Sequence, residues 1–325
     1  LKEHKSLVVN TIFSPDNKII ATASWDNTVK LWNRNGTLIK TLKHDDEVES
    51  MSFSPNSKLI VSGSQDNIYL WNNRGDLLKK FKAHKDEIYD VTFSPDGELI
   101  ASASGDNTVK LWKPNGSLIK TLQGHNNAVN SVSFSPDSQL IVSGSWDKTV
   151  KLWRRDGTLI DELTDHYRSV LDVAFSPDGK ILASASQDHT IRLWKINQNQ
   201  SITFLTSIDP GCLSDSPSGS GGALGISFSP DSQLIAASCG DNKIGIWKLN
   251  GTKLTTLKGY NKAEFWGLSF SSDWQTLAAG SGDNTVNVWD FSLNNLLIRS
   301  CDLIRDYLET SPNVNDTDSN LCKGF

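Results

Sequence analysis

A seven-residue segment, Asp-Asn-Thr-Val-Lys-Leu-Trp, constrains this chain more than any other feature. It occupies residues 26–32, returns unchanged at residues 106–112, and returns with one substitution, Lys148, at residues 147–153. Looser copies end at Trp71, Trp194, Trp247 and Trp289. Seven of the eleven tryptophans therefore hold one position of a repeating unit. The chain must fold by repeating one structural unit.

A second motif, Phe-Ser-Pro-Asp and its variants, sets the length of that unit. Its phenylalanines are Phe13, Phe53, Phe93, Phe134, Phe175, Phe228 and Phe270. Five of the six intervals are 40 to 42 residues, and the remaining one is 53. A period of about 40–45 residues is typical of a propeller blade with four short strands. The sequence predicts an all-β, seven-bladed β-propeller.

One unit shows why the blades should be antiparallel sheets. Residues 128–135 alternate apolar and small polar side chains, as expected for an inner strand. Further strands are predicted at 139–145, 149–153 and 158–163, and Asp156-Gly157 is a hairpin signal between the last two. Short connections produce an antiparallel meander. Such a sheet is apolar on both faces, so it is stable only when stacked in a ring.

The predicted domain boundaries follow from these markers. The propeller covers residues 1–300, with an inserted loop rich in serine and glycine at 206–222. Residues 301–325 are predicted to form a short helix, with Asp302 as its N-cap, and a polar tail. The predicted blades are at about 1–42, 43–82, 83–123, 124–164, 165–206, 223–257 and 258–300.

Along the repeat a histidine is followed by Phe-Ser-Pro-Asp and then by Ser-x-Ser-x-Asp-x-Thr-Val-x-Leu-Trp. With this order of motifs, residues 1–300 resemble the WD-repeat (WD40) family. The resemblance implies a hydrogen-bonded chain of His, hydroxyl, Asp and Trp in each blade, which satisfies buried polar groups. Five blades supply all four residues: His4, Thr22, Asp26 and Trp32; His44, Ser62, Asp66 and Trp71; His84, Ser102, Asp106 and Trp112; His125, Ser143, Asp147 and Trp153; His166, Ser184, Asp188 and Trp194.

In blade 2, Asp66 and Trp71 are five residues apart rather than six, so the second turn or the third strand is one residue short. Blades 6 and 7 depart further from the pattern. Gly219 and Asn261 stand at the histidine position, and alanines replace the hydroxyl at Ala237 and Ala279. Loss of both groups together avoids leaving one of them buried without a partner. We expect these two blades to be the less rigid part of the ring.

The net charge and the cysteines indicate which kinds of partner and which cellular compartment to expect. The formal net charge is −5, which argues against a nucleic-acid partner, and no apolar run is long enough to span a membrane. Cys212, Cys239, Cys301 and Cys322 form no Cys-x-x-Cys pair. Free thiols in the cytoplasm are expected, and a Cys301–Cys322 disulfide is the alternative.

No catalytic centre is expected, and neither is a cofactor or a metal. Five of the six histidines belong to the blade network, which leaves His189 in a turn. No glycine-rich phosphate loop and no Gly-x-Ser-x-Gly elbow occurs. A basic stripe on the third strands suits a nucleic-acid belt less well than side chains that pack on the blades with their charged heads in solvent. Its members are Lys30, Lys110, Lys151 and Arg192.

The resemblance also indicates where partners bind, namely the residue before the turn Asp and the third and fifth residues after the His. Trp, Tyr and acidic side chains there suit a protein or peptide with basic and apolar groups. The alternative is that Trp25 and Trp146 only cover neighbouring blades. The candidate residues are Trp25, Glu47, Glu49, Glu87, Tyr89, Trp146, Leu171, Glu264 and Trp266.

We therefore expect a non-catalytic protein- or ligand-binding propeller that acts as a scaffold or sensor. A hydrolase with its site at the channel and a purely structural spacer are the alternatives. The chain opens on Leu1 and its only methionine is Met51, which suggests a fragment of a longer protein. Its ending resembles large bacterial, cyanobacterial-type WD-repeat proteins with upstream signalling domains. The outer strand of blade 7 is expected from residues 295–300, without an interlock from residues before His4.

Overall fold

Seven antiparallel sheets form the described part of the molecule. The structure is a computed structural model that describes residues 1–197, 200–212, 222–259 and 263–292. In each sheet the strands follow chain order, and the first strand lies at the centre of the ring. These inner strands are β1 (Val8–Phe13), β5 (Val48–Phe53), β9 (Ile88–Phe93), β13 (Val129–Phe134), β17 (Val170–Phe175), β21 (Ala223–Phe228) and β25 (Phe265–Phe270).

The remaining strands complete the blades, so the fold is the predicted seven-bladed β-propeller. The second strands are β2 (Ile19–Ser24), β6 (Leu59–Ser64), β10 (Ile100–Ser104), β14 (Leu140–Ser145), β18 (Ile181–Ser186), β22 (Leu234–Cys239) and β26 (Thr276–Ser281). The third are β3 (Thr28–Asn33), β7 (Asn67–Asn72), β11 (Val109–Trp112), β15 (Val150–Arg154), β19 (Ile191–Ile196), β23 (Lys243–Lys248) and β27 (Val286–Asp290). The outer ones are β4 (Leu38–Lys43), β8 (Leu77–Lys82), β12 (Leu118–Leu122), β16 (Leu159–Leu163), β20 (Ile202–Ile208) and β24 (Lys253–Lys258).

The Ser-Pro-Asp segment builds the turn between the first and second strands. In blade 1 the Ser14 hydroxyl donates to Asp16 over 2.7 Å and accepts the backbone N–H of Ile19 over 2.9 Å. Asn17 adopts a left-handed conformation, with φ of 58°. Side-chain bonds to nearby backbone favour such turns over continued strand. The motif thus reverses the chain at the same point of every blade.

The core lies between blades rather than within them. Each hydrophobic cluster joins two consecutive blades, as where Val29 and Leu31 of blade 1 pack with Val48 and Met51 of blade 2. Equivalent clusters occupy the other interfaces between consecutive blades. The last of them packs Trp32 of blade 1 with blade 7 and closes the ring. A blade therefore gains its stability from its neighbours.

The beginning of the chain also closes the ring. The Leu1 amine donates to the carbonyl of Val286 in β27 over 2.8 Å, and the Val286 N–H donates back to Leu1 over 3.0 Å. Leu1 lies three residues before His4, just as Leu122 precedes His125. The prediction of no interlock is therefore wrong, because three residues suffice to reach the third strand of blade 7. The predicted strand at 295–300 lies outside the described residues.

Two further expectations need correction around blades 5 and 6. Strand β20 continues to Ile208 and so includes the first three residues of the predicted inserted loop. Cys212 and Cys239 form a disulfide, so these two are not free thiols. The chain after β20 returns to the end of β22, which brings their Cα atoms within 5.3 Å. Cys301, Cys322 and the predicted C-terminal helix fall outside the described residues. Within the described ranges, no helix is long and apolar enough to cross a membrane.

Candidate functional site

The hydrogen-bonded chain inside the blades is complete in blades 1, 3 and 4. In blade 3 the Trp112 indole donates to the Ser102 hydroxyl over 2.9 Å, and this hydroxyl lies 2.7 Å from Nε2 of His84. Nδ1 of His84 lies 2.9 Å from Asp106. The carboxylate can only accept, so Nδ1 carries the proton and Nε2 accepts from the serine. Blades 1 and 4 repeat these contacts.

Blade 5 holds the same histidine geometry with tighter burial of its acid. Nδ1 of His166 lies 2.7 Å from Asp188, and Nε2 lies 2.6 Å from the Ser184 hydroxyl. Burial raises the pKa of the Asp188 carboxyl, but hydrogen bonds from His166 and Thr190 outweigh it and bring the pKa to about 2. The acid therefore stays ionised and fixes the orientation of the imidazole.

Blade 2 differs from the expectation at Asp66. His44 bonds to Ser62 over 2.7 Å and Trp71 donates to the same hydroxyl over 3.0 Å, but the Asp66 carboxylate pairs with Lys82. The turn is one residue shorter than in other blades, so Asp66 does not reach the histidine. Tyr69 packs against His44 instead, with ring centroids 4.5 Å apart. Burial lowers the pKa of His44 to about 4.

Blade 6 replaces the network by packing. Ala237 stands where other blades have the hydroxyl, and the Trp247 ring covers Gly245 so closely that a Cβ on this glycine would lie 1.9 Å from it. Asp241 pairs with Lys243. The sequence positions Gly219 and Asn261 lie outside the described residues, so the expected loss of rigidity in blades 6 and 7 stays a prediction.

These Asp–His–Ser groups resemble the geometry of a serine hydrolase, yet they are structural. In a hydrolase the serine oxygen must reach a substrate carbonyl. Ser102, Ser143 and Ser184 are fully buried, and the first two accept an indole N–H. Among the described residues, no group of three His, Cys, Asp or Glu side chains could hold a metal ion. The repeated polar groups are therefore part of the scaffold.

One cavity opens at the centre of the ring, on the face that carries the turn aspartates. Its volume is about 500 Å³. All seven blades contribute to its wall. The lining residues are Val9, Asn10, Trp25, Glu47, Glu49, Ser50, Glu87, Tyr89, Asp90, Asn130, Ser131, Trp146, Leu171, Asp172, Gln187, Leu224, Gly225, Trp266 and Gly267. We call this space the channel-mouth cavity.

The structure brings eight of the nine predicted partner residues together in this cavity. The exception is Glu264, which is only 8 % exposed and is not a lining residue. Its backbone carbonyl accepts the N–H of Gly282 over 2.9 Å, which places it against the Asp turn of its own blade. Glu264 therefore lies outside the cavity wall, and partner binding by all nine residues stays a prediction.

Two aromatic pairs form part of the cavity wall. Trp25 and Trp266 have ring centroids 6.4 Å apart, across the junction of blades 1 and 7. Tyr89 and Trp146 are 5.4 Å apart, across the junction of blades 3 and 4. Trp146 is 40 % exposed, and its indole donates to Asn130 over 3.1 Å. The rings do cover neighbouring blades, as in the alternative interpretation, but they also present apolar surface to the cavity.

Charge is unevenly distributed around the cavity. Blades 2 and 3 contribute Glu47, Glu49 and Glu87, which we call the acidic side. Blades 5 and 6 contribute Leu171 and Leu224, which we call the apolar side. Burial, reinforced by Glu87, raises the pKa of Glu49 to about 8, although a hydrogen bond from Trp25 opposes this rise. Burial and then the charge of Glu87 raise the pKa of Tyr89 to about 12.

Two buried carboxylates in the wall escaped the sequence analysis. Asp90 accepts the Ser50 hydroxyl over 2.6 Å, and Asp172 accepts the Ser131 hydroxyl over 2.9 Å. They also accept the N–H groups of Val132 and Ile226 in the following blades, over 2.9 and 2.8 Å. Burial raises the pKa of both carboxyl groups, that of Asp172 to about 7.

A repeat position could have revealed these carboxylates. Asp90 and Asp172 are the sixth residues after His84 and His166. Because that position faces the channel in one blade, it faces the channel in every blade. The equivalent residues in the other blades are Asn10, Ser50, Ser131, Gly225 and Gly267.

The basic stripe on the third strands is engaged within the blades. Lys30 donates to Thr41 and Lys110 to the carbonyl of Ala83, while Lys151 pairs with Glu162. Arg192 lies 3.9 Å from Asp165. These side chains pack on the blades as expected, but Lys30 and Lys151 are buried and bonded, so the expectation that their heads lie in solvent is wrong for these two. The contacts leave little free charge for a nucleic-acid belt.

Comparison with known proteins agrees with this architecture. Residues 113–297 match the family model described as IFT122 first beta-propeller. Residues 1–33, 36–72 and 75–113 match the model described as WD domain, G-beta repeat. A 43-residue segment is 46 % identical to the U4/U6 small nuclear ribonucleoprotein PRP4-like protein of Arabidopsis thaliana, over 13 % of this chain and 8 % of that protein. One model covers more than half of the chain and the other its first repeats, so the chain belongs to the WD-repeat β-propeller family.

Proposed function

We propose that this propeller is a non-catalytic scaffold whose channel-mouth cavity binds a protein or peptide partner through basic and apolar groups. WD-repeat propellers generally serve as protein-interaction scaffolds. One observation carries the proposal for this chain. The cavity wall holds five carboxylates and four aromatic rings, and none of its described lining residues is Lys, Arg or His. Such a wall favours a ligand that brings positive charge and apolar surface.

A catalytic role has less support from the same wall. Its carboxylates are spread over blades 2, 3 and 5, and Asp90 and Asp172 accept hydrogen bonds from neighbouring strands. Those bonds tie them to the scaffold. The hydrolase alternative would need a nucleophile beside an acid–base pair that a substrate can reach. A pure spacer would have no reason to maintain a polar and aromatic cavity.

The context of the scaffold extends the proposal. We place it in a larger bacterial signalling protein, where upstream domains of the same polypeptide would respond to partner binding, because the ending of the chain resembles such proteins. The net charge of −5 and the engaged third-strand lysines support a protein partner over a nucleic acid or a membrane. A cytoplasmic location stays a prediction, and the Cys212–Cys239 disulfide weighs against it.

Selection from a random peptide library tests the proposal. We expect wild-type protein to enrich peptides in which Arg or Lys lies beside apolar residues. A Trp25→Ala, Trp146→Ala, Trp266→Ala triple variant should lose this enrichment, because it removes three of the four aromatic rings from the wall.

The matched control is Trp274→Ala, since Trp274 lies outside the wall and packs on Phe270 in a turn at the opposite face. Circular dichroism establishes that each variant is folded. If the triple variant, while folded, enriched the same peptides as wild type, the cavity would not be the binding site.

A further inference from the structure

Glu49 occupies an unusual place in the channel-mouth cavity. It lies on blade 2, between Trp25 of blade 1 and Glu87 of blade 3, and Glu87 is the charged group that raises its pKa most. Glu47 and Glu87 add negative charge around it, and Asp90 and Asp172 lie in the same wall. The part of the wall that the structure describes contains no Lys, Arg or His. A carboxylate in such surroundings is stabilised either by a proton or by a cation.

The rings near Glu49 complete a site for one cation. Trp25 and its partner Trp266 stand on one side, and Tyr89 with Trp146 stands on the other. Aromatic faces attract a guanidinium or ammonium group within about 6 Å, and they do so more strongly when water is excluded.

We propose that Glu49 anchors a single cationic side chain of the partner between the two aromatic pairs of the cavity wall. The inference rests on the proposed function and specifies its ligand. Binding then exchanges a proton for the cation: the protonated carboxyl and the cation give the carboxylate–cation pair, and one proton goes to solvent. Binding is thereby linked to pH, chiefly through Glu49.

The other titratable groups that face Glu49 determine how far the pH dependence of binding reflects Glu49 alone. Burial raises the pKa of Glu49 to about 8, so at pH 7 most molecules carry the proton. Tyr89, with a pKa of about 12, stays neutral over the working range. Burial also raises the pKa of Glu87 and brings that of Asp172 to about 7, so both can add a smaller response. A Glu49 variant separates its own response from theirs.

At pH values below the Glu49 pKa of about 8, a cation that requires the ionised carboxylate competes with the proton. The affinity should therefore rise about tenfold for each pH unit from 6 towards 8 and then level off. The sign is fixed by the raised pKa, because lowering the pH favours the protonated and non-binding form. A ligand without charge should show no such slope.

Isothermal titration calorimetry with a matched pair of probe peptides tests the inference. The probes are Ac-Gly-Leu-Arg-Leu-Gly-NH2 and the same peptide with citrulline, a neutral isostere of arginine. The Kd is measured at pH 6, 7, 8 and 9, and in two buffers of different ionisation enthalpy at pH 7. We expect the arginine peptide to bind at least tenfold tighter than the citrulline peptide at pH 8. We also expect it to release close to one proton at pH 7.

Glu49→Gln should abolish both the preference for arginine and most of the pH slope. The matched control is Glu98→Gln, because Glu98 is highly exposed, pairs with Arg155 and lies outside the cavity wall. This control makes the same carboxyl-to-amide change away from the cavity and should behave as wild type. The two-peptide comparison on wild-type protein does not depend on whether the Glu49 variant folds.

Every outcome decides between the two proposals. Equal affinity for both peptides, or arginine binding without pH dependence, overturns the cation–proton exchange and leaves the cavity as a peptide site. Absence of binding by either peptide also overturns this inference, while the library selection with the aromatic variants judges the proposed function. An arginine preference that survives Glu49→Gln assigns the cation to another carboxylate and rejects Glu49 as its anchor.

Discussion

At the scale of single residues, one motif position serves different purposes in different blades. Asp106 bonds to His84, whereas Asp66, at the same place in blade 2, pairs with Lys82 near the surface. A turn shortened by one residue causes this difference. The same residue type at the same repeat position can therefore make different contacts in different blades.

Substitution of these two aspartates should have unequal effects on stability. Asp106→Asn replaces the carboxylate beside the buried His84 by a neutral amide, and one of its two accepting oxygens becomes an NH2 donor. We therefore expect a loss of about 1–3 kcal/mol in the free energy of unfolding. Asp66→Asn breaks only a partly exposed ion pair and should cost less than about 1 kcal/mol. Urea denaturation of both variants measures the difference. Equal losses would show that Asp66 reaches His44 in solution.

At the scale of elements, the end of the second strand is a fastening point. Ser104 at the end of β10 donates to the carbonyl of Asp86 in the loop after His84, over 3.1 Å. Similar bonds occur at Ser24, Ser64 and Ser145. Cys239 holds this position in blade 6 and is fastened covalently to Cys212. The disulfide thus replaces a hydrogen bond where the blade also lacks the hydroxyl at Ala237.

Removing this disulfide should lower the stability of the propeller. It closes a chain segment with a sequence separation of 27, and such a link restricts the unfolded chain by about 3–4 kcal/mol. We expect Cys212→Ser and Cys239→Ser each to lower Tm, and a thiol reductant to lower the Tm of wild type but not of either variant. Differential scanning calorimetry with and without reductant makes the comparison. A reductant effect that persisted in Cys239→Ser would mean that another bond is responsible.

At the scale of the whole molecule, the junction of blades 1 and 7 is closed by several kinds of contact. Gly280 in β26 faces the backbone of Val8, and a Cβ there would lie 2.5 Å from the Val8 carbonyl oxygen. Arg34 crosses the same junction to Asp273 and to the Thr276 hydroxyl. Leu1 adds its two backbone bonds to Val286. The ring is closed by backbone, side chain and charge together.

Because blades 1 and 7 lie so close at Gly280, a single added methyl group there should lower the stability of the propeller. Gly280→Ala must push blade 1 away from blade 7, and we expect a loss of about 1–3 kcal/mol in unfolding free energy. Gly282→Ala is the matched control, because its Cβ would meet the flexible end of Leu7 at 3.3 Å. Chemical denaturation compares the two variants. A Gly280 variant as stable as the control would show that the two blades can separate at little cost.

The repeat made most of this arrangement predictable. Because equivalent residues of each blade face the channel, the spacing of the motifs is enough to place Trp25, Trp146 and Glu49 in one wall. Three features depend instead on distances between separate segments. They are the pairing of Leu1 with Val286, the Cys212–Cys239 disulfide and the failure of Asp66 to reach His44. The spacing of the motifs shows that blade 2 lacks one residue between Asp66 and Trp71, but it does not show which contacts form in any of these three cases.

The unequal wall of the cavity has a consequence for how a ligand is oriented. Seven equal blades would offer a ligand seven equivalent orientations about the ring axis, and none would be preferred. Here the acidic side at blades 2 and 3 and the apolar side at blades 5 and 6 break that rotational symmetry. A partner with one charged and one apolar group can then bind in a single rotational orientation about the ring axis. The seven blades share one backbone arrangement, so the differing side chains of the cavity wall alone would set the orientation of the ligand.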